Sequence, residues 1–377
     1  MLFGGGIIIN KRLGYSAGFI FCITMLTLWI LPFTLVMNKC RSTLLFLNVL
    51  LTSSVIITFK TKSIFLFYVF FEFSILPITL IVFLYGYQPE KLSAAISLLI
   101  YTVVGRLPLL GFIVYGNEYR SRAILMTLSV TLGFMVKTPM FILHTWLPKA
   151  HVEAPVGGSM VLAGVLLKLG SFGLLRFLPL IKMSTILFLY IRLSLLGSTV
   201  CALICLRQGD LKILIAYSSV VHMGVVSLGF LRGTESGYVC GVLMVFGHGL
   251  RSPFLFALSF NLYESSHSRL LINNLISNPL MIGAFLGLVS LNIGVPPSMG
   301  LWSEVFLSIV LMSILSYAVP WLIAIFFFGA LYNLYLYTAC AHGKFNHFIT
   351  PQFHIFPIIQ VVSCSYGRFF CLDLFHP

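Results

Sequence analysis

Apolar runs of about twenty residues recur along nearly the whole chain, separated by short polar punctuation. A run of that length is what a helix needs to cross a hydrocarbon core of about 30 Å. A membrane β-strand would instead alternate polar and apolar positions over about ten residues, and runs such as 63–83 show no alternation. The runs predict helices over 14–37, 42–59, 63–86, 92–115, 122–146, 155–178, 183–205, 211–231, 237–262, 278–314, 317–341 and 353–366. The last is barely long enough, so the expected fold is an all-α polytopic transmembrane helix bundle of eleven or twelve spans.

Two runs carry helix breakers at membrane depth: Lys137-Thr138-Pro139 in the fifth and Gly294-Val295-Pro296-Pro297 in the tenth. A backbone group freed in lipid costs several kcal/mol, so such breaks persist only where protein or internal water satisfies them. The breaks fall five runs apart, the pattern of transporters built from internal repeats with discontinuous helices near the midplane.

Composition narrows the class. Of 377 residues, 59% are hydrophobic and 8% charged, where an ordinary soluble domain has roughly a quarter charged. The net charge of +14 is spread as singles and pairs between apolar runs (Lys11 and Arg12, Lys39 and Arg41, Lys60 and Lys62, Arg120 and Arg122). That describes membrane flanks, not a nucleic-acid surface. Assigning the loops alternately to two sides gives nearly equal Lys plus Arg counts, so the positive-inside rule leaves orientation open. The four tryptophans and sixteen tyrosines suggest interfacial belts.

The eight cysteines (Cys22, Cys40, Cys201, Cys205, Cys240, Cys340, Cys364, Cys371) form no CxxC pair and have no zinc-type histidine spacing. No dinucleotide or phosphate-loop glycine motif and no iron-sulfur cysteine set is present. The chain is expected to bind no cofactor and to do no redox chemistry itself. The N-terminus lacks the Arg- and Ser-rich pattern of an imported organellar precursor, which fits a bacterial or organelle-encoded product.

Seven charges fall within predicted spans: Glu72, Arg106, Lys137, Lys168, Arg192, Arg251 and Glu304. Each costs about 2.5 to 3.5 kcal/mol on insertion scales, together roughly 20 kcal/mol. These side chains are therefore expected to face one another or internal water, as along a proton or ion path. Glu and Lys change protonation when burial and neighbours shift them, whereas Arg does not. Glu72, Lys137, Lys168 and Glu304 are thus candidate proton carriers. Arg106 and Arg192 are either tuning charges or residues snorkelling at helix ends, and Arg251, after a break in the ninth run, reads the same two ways. His222 and His248 titrate near neutral pH and are either relay members or hydrogen-bonded packing residues. His144, His151 and Glu153 sit around a polar stretch bounded by Pro148 and Pro155, with no fourth ligand at metal spacing. That stretch is expected to be a surface connection.

Residues 137–177 read KTPMFILHTWLPKAHVEAPVGGSMVLAGVLLKLGSFGLLRF, and 206–224 read LRQGDLKILIAYSSVVHMG. With FFEFSILP around Glu72, HGL at His248, YESSHSR at 263–269 and PPSMGLWSE ending at Glu304, the chain resembles the proton-translocating, antiporter-like membrane subunits of respiratory NADH dehydrogenase (complex I). It most resembles their chain 4 type, over about residues 63–310. The resemblance implies antiporter-like inverted repeats, with N-terminal transmembrane helices over 1–62, a proton-translocating core over 63–314, and C-terminal helices and tail over 315–377.

It further implies that Glu72 and Lys137 pair in a first half-channel, that Lys168 links them to a central axis continued by His222 and His248, and that Glu304 is the terminal acid. The implied function couples electron transfer from NADH to ubiquinone to proton pumping. The implied partners are the other membrane subunits of complex I, neighbouring antiporter-like subunits among them, and membrane lipids, with no nucleic acid. NADH, flavin, iron-sulfur clusters and ubiquinone would belong to other subunits. The location would be the mitochondrial inner membrane, or a bacterial plasma membrane.

The chain departs from the family pattern in three places. Family members have about fourteen helices of spanning length, and the stretch before Glu72 has room for two fewer. Arg106 and Arg251 stand where the family has small or neutral residues, and a fixed cation beside Lys137 or His248 lowers their proton affinity. The match fades after about Ala341. Two alternatives stand beside the pump: a subunit of a sodium/proton antiporter complex, and a structural membrane subunit that has lost pumping.

Overall fold

The structure, a computed structural model, describes residues 42–342 apart from 87, 116–122, 182–184, 277 and 313–317, together with residue 27. The predicted helix 353–366 lies outside the described residues, as does 14–37 except for Thr27. So do Lys11, Arg12, Lys39, Arg41, Arg120, Arg122 and four of the cysteines, Cys22, Cys40, Cys364 and Cys371. The other ten predicted runs are all helical. No strand forms among the described residues beyond one isolated bridge between Asp210 and Leu270.

In chain order the helices are α1 (Ser42–Lys60), α2 (Ile64–Phe73), α3 (Ile75–Tyr85), α4 (Lys91–Val114), α5 (Ala123–Lys137), α6 (Trp146–Glu153) and α7 (Val156–Val161). A π turn (Leu162–Leu166) leads into α8 (Leu167–Phe177), followed by α9 (Thr185–Leu206), α10 (Leu211–Arg232), α11 (Glu235–Ser266), α12 (Pro279–Ile293), α13 (Met299–Met312) and α14 (Val319–Ala341). Helices α2 and α3 act as one span interrupted only at Ser74, and α7 and α8 as another through the π turn. Counted so, eight helices among the described residues are long and apolar enough to cross a membrane.

Burial sorts these spans into a centre and a rim. The most apolar stretch of Val156–Phe177 is wholly buried, against 28% for Lys91–Val114 and for Val319–Ala341. Spans α10 and α11 are also mostly buried. The three central spans carry Lys168, His222, His248 and Arg251, so the costly side chains lie where lipid does not reach.

Packing also repeats with the five-span period. Helix α1 packs on α2 and α3 as α9 does on α10, and α4 packs on both segments of the first broken span, α5 and α6, as α11 does on both segments of the second, α12 and α13. Five is an odd number of crossings, so the second set runs inverted relative to the first.

Both breaks form, and each is capped by a side chain. Helix α5 ends at Lys137 because Pro139 has no N–H to continue the ladder. The Met140 N–H reaches back to the Met135 carbonyl, which leaves the Val136 carbonyl free, and the Trp146 indole donates to it at 3.1 Å. Trp146 is thus a buried cap, not a member of an interfacial belt. At the second break Gly294 closes α12 in the left-handed region (φ 86°), which favours glycine. The Val295 N–H bonds the Ser290 carbonyl, so the Leu291 carbonyl is freed and the Arg251 guanidinium donates to it. The ninth run shows no break before Arg251: α11 is continuous, with Pro253 inside it.

The stretch around Pro148 corrects the sequence reading. It is no surface connection but the helix α6, packed between α4 and α10, and His144, His151 and Glu153 are all buried. Pro148 sits in the first turn of α6, where its missing N–H would have had no intrahelical partner in any case. It starts a helix where it was read as a loop boundary.

Helix α8 approaches the first break through Gly170, whose added Cβ would lie 2.9 Å from Lys137 Cβ and 3.0 Å from the Thr138 nitrogen. Gly170→Val is therefore expected to force α8 off α5 and to destabilise the subunit by about 1 to 3 kcal/mol. A lowered thermal midpoint for subunit retention in the purified membrane assembly checks this.

Candidate functional site

The candidate residues form three groups along the bundle. In the first, Arg106 is wholly buried on α4, and its Nη2 lies 3.1 Å from Oε2 of Glu72, a close charge contact not aligned as a hydrogen bond. Its Nε donates to the Thr102 carbonyl at 2.5 Å, and its Nη1 to the Phe71 carbonyl at 3.4 Å. Lys137 donates to Ser74 Oγ at 3.2 Å and to the same Phe71 carbonyl at 3.5 Å, with its Nζ 4.0 Å above the Phe71 ring.

The pairing of Glu72 with Lys137 implied by the resemblance is therefore not formed: no ion pair joins them within 4.0 Å. The guanidinium of Arg106, held by two backbone carbonyls, occupies the carboxylate, and Lys137 is left with neutral acceptors. A cavity of about 20 Å³ lies between Lys137 and the π turn, bordered by Thr102, Trp146, Leu162 and Leu166. It has room for a single water.

The second group is the centre. A π turn breaks the regular i to i+4 ladder, and here the Ala163 carbonyl accepts from Lys168 Nζ at 2.6 Å. The same Nζ lies 2.7 Å from Nδ1 of His248 on α11. Both side chains are buried. At that distance the proton between them belongs to one partner while the other supplies a lone pair. The His248 ring stands 5.7 Å from the ring of His222 on α10, centroid to centroid.

The third group lies at the second break. Arg251 Nη2 is 3.5 Å from His222 Nδ1 and 3.2 Å from Met244 Sδ, while Nη1 caps α12 as described. Glu304, half-buried on α13, has its carboxylate beside Gly294. It is the acid whose charge acts on Arg251, although no ion pair joins the two within 4.0 Å. Arg106 and Arg251 are thus wholly interior, and neither snorkels. Arg192 is exposed on the rim helix α9 and stands apart from the line.

The family described as NADH:quinone oxidoreductase/Mrp antiporter, transmembrane, matches residues 61–332. NADH-ubiquinone oxidoreductase chain 4 of Ceratitis capitata is 42% identical over 329 residues, covering 81% of this chain and 73% of that protein. The chain 4 proteins of Locusta migratoria and Lumbricus terrestris are 39% and 37% identical, covering 83% and 86% of this chain and 71% and 78% of their own lengths. This chain belongs to the chain 4 family.

Solved structures share the fold. A chain of respiratory complex I from Thermus thermophilus superposes with a TM-score of 0.82 at 22% identity, covering 97% of this chain and 83% of that one. A chain of the Mrp complex from a Dietzia species gives 0.79 at 20% identity, covering 93% and 42%.

Within this chain 4 fold, the sequence reading named Arg251 as a charge within a span but missed its place beside the histidines, and it missed Ser74, Asn292 and Asn333. Arg251 lies three residues after His248 on α11, a helical spacing that puts both on one face. Ser74 sits between α2 and α3, where its Oγ accepts from Lys137 while it donates to the Phe71 carbonyl. Asn292 and Asn333 join α12 to α14 by a buried 2.7 Å hydrogen bond, a pairing 41 residues apart that no local pattern announces. Among the described residues no group of three His, Cys, Asp or Glu side chains is placed to hold a metal ion.

Proposed function

We propose that this chain conducts protons across the mitochondrial inner membrane as the chain 4 subunit of a respiratory NADH:ubiquinone oxidoreductase. The line of transfer runs from Glu72 and Lys137 through Lys168, His248 and His222 to Glu304. The observation that carries the reading is the buried 2.7 Å contact between Lys168 Nζ and His248 Nδ1, joining two central helices. A lysine ammonium there can pass its proton to Nδ1 and become a neutral amine. The imidazolium then releases a proton from Nε2 toward His222, a turn of the ring restores a bare nitrogen toward Lys168, and the amine accepts the next proton from the Lys137 side.

Arg106 and Arg251 do not give up protons. Their role in this reading is to hold fixed positive charge beside Glu72 and Glu304, one at each half-channel. The redox steps, with NADH, flavin, iron-sulfur clusters and ubiquinone, belong to other subunits. This chain works beside the other membrane subunits, antiporter-like neighbours included, and receives energy as a rearrangement of charge along the line.

Glu304→Gln tests the far end. It is expected to slow the terminal transfer by about 10²-fold, so that fewer protons are pumped per NADH oxidised in sealed vesicles. Peptide mass spectrometry of gently solubilised membranes tests the setting: the chain is expected to migrate with a large NADH-oxidising, quinone-reducing assembly. Migration with a smaller complex lacking that activity would transfer the reading to a sodium/proton antiporter.

A further inference from the structure

A second polar cluster lies away from this line, at the face of the bundle where the first broken span ends. Glu153, the last residue of α6, accepts from the Gln88 backbone N–H at 3.1 Å and lies 4.0 Å from Arg269. The loop carrying Arg269 is pinned to the start of α10: the Leu211 N–H donates to the Arg269 carbonyl at 3.1 Å, and the Leu271 N–H to the Gly209 carbonyl at 2.8 Å. Lys212 completes the cluster, its Nζ 3.4 Å from the carbonyls of both Val152 and Ala154. Gln88 and Arg269 thus meet at the buried Glu153 carboxylate, and Lys212 at the backbone carbonyls on either side of it, at the end of the membrane span.

Next to Glu153 on α6, and deeper, is His151. It is wholly buried, and neither ring nitrogen has a hydrogen-bond partner. An unsatisfied buried polar group costs about 1 to 3 kcal/mol, and native structures keep few without a reason. The ring is stacked flat on Phe256 of α11, with centroids 4.4 Å apart and planes 6° from parallel. Stacking holds the plane of the imidazole and leaves both nitrogens without a hydrogen-bond partner. The cations whose fields reach the ring are Lys212, in the cluster, and Lys168, in the central group, and His151 acts in turn on His248. His151 therefore stands electrically between the two groups.

We infer that His151 is a proton-relay residue connecting the Lys168 and His248 centre to a port made by Glu153, Lys212 and Arg269 at this membrane face. A proton held at the Glu153 carboxylate or the Lys212 amine passes through water to one ring nitrogen. The other nitrogen releases a proton through water toward Lys168, which leaves the imidazole in the opposite tautomer. A half-turn of the ring about Cβ–Cγ exchanges the two nitrogens and readies it for the next proton, so one proton moves per cycle. The central lysine then has its own connection to the aqueous phase, in addition to the two half-channels that end at Glu72 and Glu304.

The inference rests on the reading of Lys168 as a relay member, and the test separates the two. His151→Phe keeps an aromatic ring against Phe256 but cannot carry a proton. In the intact complex, ubiquinone reduction coupled to proton translocation, normalised to NADH oxidation by an artificial acceptor on other subunits, is expected to fall by roughly 10-fold or more. Glu153→Gln is expected to lower it in the same direction. Wild-type coupled rates in His151→Phe overturn the inference. If Lys168→Met still abolishes pumping in the same assay, the relay reading survives that failure; if it does not, both are wrong. A second readout uses the unaltered complex: deuterium exchange at the imidazole C2–H, followed by mass spectrometry of the peptide holding His151, is expected to proceed despite burial, because a relay ring meets water and becomes protonated. No exchange at His151 overturns the inference even where the variant fails to assemble.

Discussion

Lys168→Met is expected to stop proton translocation while leaving the subunit folded and assembled. The amine has two partners in the structure, the Ala163 carbonyl and His248 Nδ1, and no counter-carboxylate lies within 4.0 Å of it. Methionine fills a similar length with apolar atoms, so the substitution removes the difficulty of burying an amine and leaves one carbonyl and one imidazole nitrogen short of a partner. Each loss is about 1 to 3 kcal/mol, partly offset by the gain from burying an apolar chain. The net change in stability is expected to be small. Transport is a different matter, because Lys168 is the group by which α8 reaches the histidines of α10 and α11. Without it, proton transfer across the centre is expected to slow by about 10²-fold. A pH-sensitive dye inside proteoliposomes reads the first effect, and the thermal midpoint of the assembly reads the second. Acidification at the wild-type rate with Lys168→Met would remove the central lysine from the path.

The sequence reveals the depth of a residue in this molecule more readily than its direction. The two breaks were legible because Pro139 and the pair Pro296 and Pro297 interrupt long apolar runs, and no other arrangement satisfies the freed backbone. Glu72, Lys137, Lys168 and Glu304 stood out for the same kind of reason, being ionisable groups at positions where ionisation is expensive. Which of them touch was not legible. The rotation of α4 about its axis decides that Arg106 points at Glu72, and one sequence carries no direct record of that rotation. Polar character misled once. Residues 144–155 look like a loop because they hold two histidines, a lysine, a glutamate and two prolines, yet the stretch turns inward. It can do so because Pro148 occupies a first-turn position and because Gln88, Lys212 and Arg269 arrive from distant segments to satisfy Glu153 and the helix end. Arg251 was legible as a buried charge but not as the cap of α12, since the carbonyl it satisfies is 40 residues away.

The pair of Glu72 and Arg106 makes the last expectation, a set of four proteins. Glu72→Gln strands a wholly buried guanidinium beside a neutral amide, and breaking a buried pair in this way destabilises by about 3 to 5 kcal/mol. Arg106→Met should be far milder. The carboxylate it releases is 28% exposed and has a second cation within electrostatic reach, since the charge of Glu72 acts on Lys137. In that variant Glu72 is expected to turn to Lys137, forming the pair that Arg106 prevents, and pumping is expected to persist. The double variant replaces both charges of the ion pair by neutral side chains, and such replacements are commonly neutral or stabilising by about 1 to 4 kcal/mol. It is expected to recover most of the stability lost in Glu72→Gln and none of the transport. Thermal midpoints and proton translocation measured on all four separate the two roles of the glutamate. Stability regained without pumping assigns Glu72 to the proton path and Arg106 to its tuning; pumping regained with stability makes the pair a structural tie, and the path must then begin at Lys137.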